Sequence, residues 1–161
     1  MKIIAPVILL LMSLSVLKGQ GLYIGAGAGY GSLFESAAID MRADIRTVKR
    51  FTMAPHVTRY LPKQIGESKW SLTNVNVDLH YLLRSKKKFR IYPLLGVSFS
   101  TQTEDTDIAK FRKSGTGFNL GMGFETVIER RFALYLEGKQ ITGPFEQISI
   151  QFGLVYKVIK F

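Results

Sequence analysis

The chain has 161 residues, with 22 Lys plus Arg against 12 Asp plus Glu for a net charge of +10, and it contains no cysteine. At 47% hydrophobic and 21% charged residues it carries enough apolar surface to offset chain entropy, which excludes a disordered polypeptide. Disulfide scaffolds, thiolate-zinc sites and catalytic thiols are excluded by the missing cysteines, and a His-rich metal centre by there being only His56 and His80.

The first stretch places Lys2 before an apolar run from Ile3 to Val16 and ends at Leu17-Lys18-Gly19. A membrane-spanning helix needs about 20 apolar residues, so this shorter run reads as an export signal, 1–19, that is cleaved. Leu17 departs from the small residue usual two places before such a cut. Residues 20–161 then form one domain, and losing Lys2 and Lys18 lowers the net charge from +10 to +8.

From residue 21 the polarity alternates residue by residue, and no stretch repeats its apolar positions at helical spacing. The alternation predicts eight strands: 21–31, 37–46, 50–61, 70–83, 89–101, 115–128, 132–142 and 146–161. The second is the faintest, resting on Ile39, Met41, Ala43 and Ile45 between Asp40, Arg42, Asp44 and Arg46. Brief basic connections (47–49, 84–88, 129–131) alternate with more varied ones (32–36, 62–69, 102–114, 143–145), as in an antiparallel up-and-down barrel. There is no linker and no second domain.

Two faces run through all eight segments. One is apolar, with Phe118, Leu120, Met122, Phe124, Ile148, Ile150, Phe152 and Leu154. The other mixes glycine and asparagine with five acids, Asp40, Asp44, Asp78, Glu125 and Glu137, and five bases, Arg42, Arg46, Arg90, Lys139 and Lys157, beside His80. Water-facing surfaces favour lysine and glutamate over glycine and asparagine. An eight-stranded barrel has an interior just wide enough for side chains to fill, so small residues among paired charges belong inside. The apolar face then points to lipid, where a Lys or Arg at mid-bilayer costs about 2–4 kcal/mol. Arg59 and Lys69 break that face near segment ends. Tyr30, Phe51, Tyr81, Phe89, Phe99, Phe132 and Tyr156 cluster toward segment ends as interfacial girdles, Trp70 is expected to anchor an interface, and strand parity slips near Ile159.

Gly21-Leu22-Tyr23-Ile24-Gly25-Ala26-Gly27-Ala28-Gly29-Tyr30, Asn74-Val75-Asn76-Val77-Asp78-Leu79-His80-Tyr81, Arg90-Ile91-Tyr92-Pro93-Leu94-Leu95-Gly96-Val97 and Gly117-Phe118-Asn119-Leu120-Gly121-Met122-Gly123 look like the first, fourth, fifth and sixth strands of a known barrel. Across the mature chain the sequence resembles the small eight-stranded outer-membrane barrels of the OmpA/OmpX transmembrane type. The resemblance implies an all-β transmembrane barrel in the outer membrane, surrounded by its lipid and inserted by the barrel-assembly machinery, with terminal Phe161 as the insertion signal. It implies no cofactor and no single activity, since members include anchors, adhesion or defence proteins and weak pores.

The reading favoured by the residues is a monomeric, non-enzymatic barrel with a filled polar interior and a structural or surface-interaction role. Three alternatives stand beside it. The first is a lipid-modifying enzyme built on His56, Thr58 and Glu137, although H-x-T lacks a serine nucleophile. The second is a lipocalin-like secreted carrier with a cavity lined by Leu120 and Phe124, and the third is a narrow ion channel through the charged interior. Thr103-Glu104-Asp105-Thr106-Asp107 lacks the glycine and terminal glutamate of a calcium loop. The cluster Arg84, Lys86, Lys87, Lys88 and Arg90 reads as an inward-facing turn rather than a nucleic-acid patch. The outer connections are expected to be short, which argues against a large adhesive surface, with 102–114 and its Lys110, Arg112 and Lys113 the best candidate for recognition.

Overall fold

The computed structural model describes residues 21–47, 50–85, 88–106 and 109–159; the stretch 1–19, expected to be an export signal, and Phe161, the expected insertion signal, lie outside them. The strands are β1 (Gly21–Gly31), β2 (Ser36–Arg46), β3 (Phe51–Ile65), β4 (Ser68–Tyr81), β5 (Phe89–Asp105), β6 (Lys110–Val127), β7 (Phe132–Ile141) and β8 (Gln147–Ile159). Each pairs antiparallel with its neighbours in sequence, β1 also pairs with β8, and the β4–β5 ladder completes the ring. Arg84–Ser85 add a two-residue pairing to Ile91 and Arg90. The result is a closed eight-stranded up-and-down barrel, with no helix among the described residues.

Closure is staggered. One cross-strand row runs from Ser114 through Thr101, Thr73, Arg59, Ile39, Ala28, Phe152 and Leu136, and returns to β6 at Phe124, ten residues from its start. A stagger of that kind obliges the strands to tilt. The register slips by one residue between the Leu22 and Tyr23 pairings, at the far end of β8, and again between Tyr60 and Lys63 in β3.

Period-two alternation decides which atoms meet lipid. In β7, Ala133, Tyr135, Glu137, Lys139 and Ile141 are buried, while Phe132, Leu134 and Leu136 between them are exposed. Leu120 is 66% exposed and Phe152 59%, whereas the Asp40 side chain is fully enclosed. A belt of this size, with Ile39, Met41, Val75 and Leu95 in it, is far beyond the apolar patches water-soluble monomers tolerate. The carrier reading fails on the same observation, because Leu120 and the partly exposed Phe124 line the outside and not a cavity.

The outer connections differ from the sequence expectation. Segments 62–69 and 102–114 are mostly strand: β3 and β4 continue to a turn at Gly66, whose φ of +63° suits glycine, and β5 and β6 continue to Asp105 and Lys110. β7 ends opposite Asn119 and β2 ends at Ser36, so the upper parts of β3–β6 stand clear of the rim as a four-stranded projection. The expectation of short outer connections holds for the turns but not for the strands that carry them. The alternation fades there because both faces of the projection meet polar surroundings, which removes the pattern that marks a half-buried strand.

Candidate functional site

Inward-facing positions meet across the ring in successive tiers. Nearest the inner end, Arg46 Nη2 lies 2.7 Å from Glu125 Oε2, Arg90 Nη1 lies 3.1 Å from the other Glu125 oxygen, and the Arg46 guanidinium rests 3.6 Å above the Tyr23 ring. Lys157 Nζ is 5.6 Å from the same ring and joins no ion pair among the described residues. Above this, Arg42 bridges Asp44 at 2.9 Å and Glu137 at 2.8 Å. Tyr92 donates its hydroxyl to Glu137 at 2.8 Å, and His80 stacks on Tyr92 at 4.6 Å with its Nε2 3.8 Å from Glu137. The middle tier centres on His56, whose Nδ1 is 3.1 Å from Asp40 and Nε2 3.2 Å from Asp78. Lys139 Nζ lies 2.9 Å from both Asp78 and His56 Nε2, while Thr58, Tyr135 and Asn119 donate to the two aspartates.

The outer tier changes character. Tyr60, Leu72, Ala38 and Phe145 pack into a small apolar cap, with Phe34 against it, and Tyr60 donates to Ser149 3.0 Å below. Trp70 joins this cap's surroundings, its ring 6.1 Å from Phe34. By register it faces the barrel axis beside Glu104 and not the lipid, so the interface-anchor expectation is corrected. Glycines make room for these rings: a Cβ on Gly31 or Gly123 collides with Tyr60 or Tyr92.

The five acids, five bases and His80 assigned to the polar face all lie on this inward surface, yet they form several clusters and not one. The sequence puts His80 and Asp78 on the same face, and in the structure it is His56 that bridges Asp40 and Asp78. His56, Thr58, Tyr60, Tyr92, Tyr135 and Asn119 share the polar face by parity, and that is the signal that could have found them. The acyl-transfer trio is not assembled: Thr58 donates to Asp40, and Glu137 is held by Arg42 and Tyr92. The described residues hold no cluster of His, Asp or Glu arranged for a metal ion.

An apolar outer belt around a hydrogen-bonded polar lumen, closed at eight strands with periplasmic-type short turns at one end, defines a transmembrane barrel of the outer-membrane type. Solved structures agree. Neisserial surface protein A superposes with a TM-score of 0.75 at 15% identity, over 87% of this chain and 99% of that one. The N-terminal β-barrel domain of Pseudomonas aeruginosa OprF gives 0.67 at 14%, over 87% and 99%, and Yersinia pestis Ail, in complex with the heparin analogue sucrose octasulfate, 0.66 at 10%, over 86% and 99%. No family model and no curated protein sequence matches the chain.

Proposed function

We propose that this protein resides in the outer membrane as a monomeric, non-catalytic barrel with a sealed polar interior, and that it presents the β3–β6 projection to the outside as its interaction surface. The observation that carries the reading is the asymmetry of the two ends. One end carries connections of four to seven residues, 47–50, 82–88 and 128–131; the other raises four strands clear of the rim. An even strand count puts both termini on one side, with the short connections, which makes that side periplasmic after export through the 1–19 signal and insertion by the assembly machinery through Phe161. The structural neighbours are surface or envelope barrels, and Ail is seen with a sulfated sugar, which supports a role in surface contact.

The chain's lack of cysteine makes a direct test simple. Glu67→Cys lies at the tip of the β3–β4 hairpin and Glu129→Cys in the opposite turn, both exposed. A membrane-impermeant maleimide applied to intact cells is expected to label Glu67→Cys, and Glu129→Cys only after permeabilisation. The reverse pattern, or recovery of the protein in the soluble fraction, refutes the reading.

A further inference from the structure

Exposed basic side chains at the outer end are confined to one flank. Among the described residues Arg59, Lys63, Lys69, Lys110, Arg112 and Lys113 all lie on β3–β6, while the upper halves of β1, β2 and β8 and the outer turns beside them have none. Lys63 and Lys113 share the axis-facing register, and Lys110 lies 3.4 Å from Asp105. Arg59, Lys69 and Arg112 remain on the lipid-side face, in no ion pair among the described residues.

What lies between them is equally one-sided. Paired residues point to the same face of an antiparallel sheet. On that face Arg59 pairs with Thr73, Thr73 with Thr101 and Thr101 with Ser114, while Ser71 pairs with Thr103 and Thr103 with Arg112. Immediately below, the face turns apolar with Val57, Val75, Phe99 and Phe118. Allowing for the stagger, Arg59 stands level with Tyr30 and Phe118 at the upper aromatic edge, and Lys69 and Arg112 stand above it. The panel is therefore a hydroxyl-rich strip that rises outward from the upper aromatic edge, with a guanidinium at its foot and two cations at its top. Arg59 and Arg112 are three strand spacings apart across the sheet and two residues apart along it, about 16 Å in all. A lone phosphate does not bridge that span, whereas a sugar headgroup bearing more than one phosphate does.

We propose that the lipid-side face of the β3–β6 projection is a binding site for a phosphorylated glycolipid of the outer leaflet. Arg59 and Arg112 clamp its phosphates through charge-assisted hydrogen bonds, and Thr73, Thr101, Thr103 and Ser114 bond its sugar hydroxyls. The apolar belt beneath takes the acyl chains. The inference rests on the orientation proposed above, which the cysteine labelling reads separately; binding in detergent is independent of which way the barrel is inserted.

The test is native mass spectrometry of the detergent-solubilised protein titrated with purified lipopolysaccharide lipid anchor, with the same lipid after phosphatase treatment, and with inorganic phosphate as competitor. Heat-dependent gel mobility checks that each variant is folded. Wild type is expected to bind the phosphorylated lipid at least about tenfold more tightly than the dephosphorylated one, and Arg59→Gln/Arg112→Gln to lose that preference. Thr101→Val, which removes a hydroxyl and no charge, should weaken both lipids alike, and Arg50→Gln/Arg131→Gln at the opposite end should change neither. Unchanged lipid preference in the arginine variant, equal loss in the opposite-end variant, or displacement by equimolar inorganic phosphate each overturns the site.

Discussion

At the scale of the residue, Lys139 shows how the interior is held. Its side chain is 1% exposed, its ammonium sits 2.9 Å from Asp78, and it is the only lysine so enclosed among the described residues. Truncating one partner of such a pair costs about 3–5 kcal/mol, because the other charge is stranded in a low-dielectric site. Lys139→Met is therefore expected to lower unfolding stability by about that amount in denaturant titrations of the vesicle-inserted barrel. Asp78→Asn/Lys139→Met removes both charges, so its loss should fall well below the sum of the two single changes. Additive losses refute the pairing. The glycine opposite an aromatic acts through shape and not charge: Gly123→Val must displace the Tyr92 ring and with it the hydroxyl bond to Glu137.

At the scale of the element, the projection and the barrel wall separate cleanly. Gln102 and Lys113 face each other across the β5–β6 hairpin, and β7 begins to pair with β6 only at Asn119. Replacing residues 103–112 with Asn-Gly closes the hairpin by a tight turn that favours left-handed backbone at both positions. The trimmed protein is expected to keep its heat-dependent gel mobility, since no wall pairing and no interior ion pair is removed. Loss of the folded band shows that the projection is needed for the barrel. The same division explains what the residues disclosed before the structure did. In the wall, one face meets lipid and the other a polar lumen, so alternation is strict and even the faint β2 was legible from Ile39, Met41, Ala43 and Ile45. In the projection, Ser68 and Lys69, Gln102 to Asp105 and Lys110 to Ser114 are polar at every position but Phe111, and read as loop. Parity alone puts His56 on the inner face, but only the stagger of the closed ring brings it between Asp40 on β2 and Asp78 on β4, and that stagger is a long-range property no local window contains.

At the scale of the whole molecule, the question is whether the lumen passes ions. Polar lining alone does not decide it. Eight strands leave a lumen that side chains fill, and here the filling is cross-linked: Arg42 to Glu137 joins β2 to β7, Arg46 to Glu125 joins β2 to β6, and Lys139 to Asp78 joins β7 to β4. Each tie spans the bore, and the apolar Tyr60, Leu72 and Phe145 cap stands over the outer end. An ion entering from the inner end meets the Arg46, Glu125 and Arg90 cluster and then the Arg42 and Lys139 ties across the bore, and one entering from the outer end meets the apolar cap. The purified protein in planar bilayers is accordingly expected to show no sustained unitary conductance. Arg42→Ala/Glu137→Ala removes the tie next below the middle tier while keeping the charge balance, and Phe145→Ala thins the cap; combined, they should open a small, cation- and anion-permeable leak. Steady conductance by the unaltered barrel refutes the sealed interior. Silence of the combined variant would place the barrier instead at the Arg46, Glu125 and Arg90 cluster, which Arg46→Ala/Glu125→Ala then tests in the same bilayer.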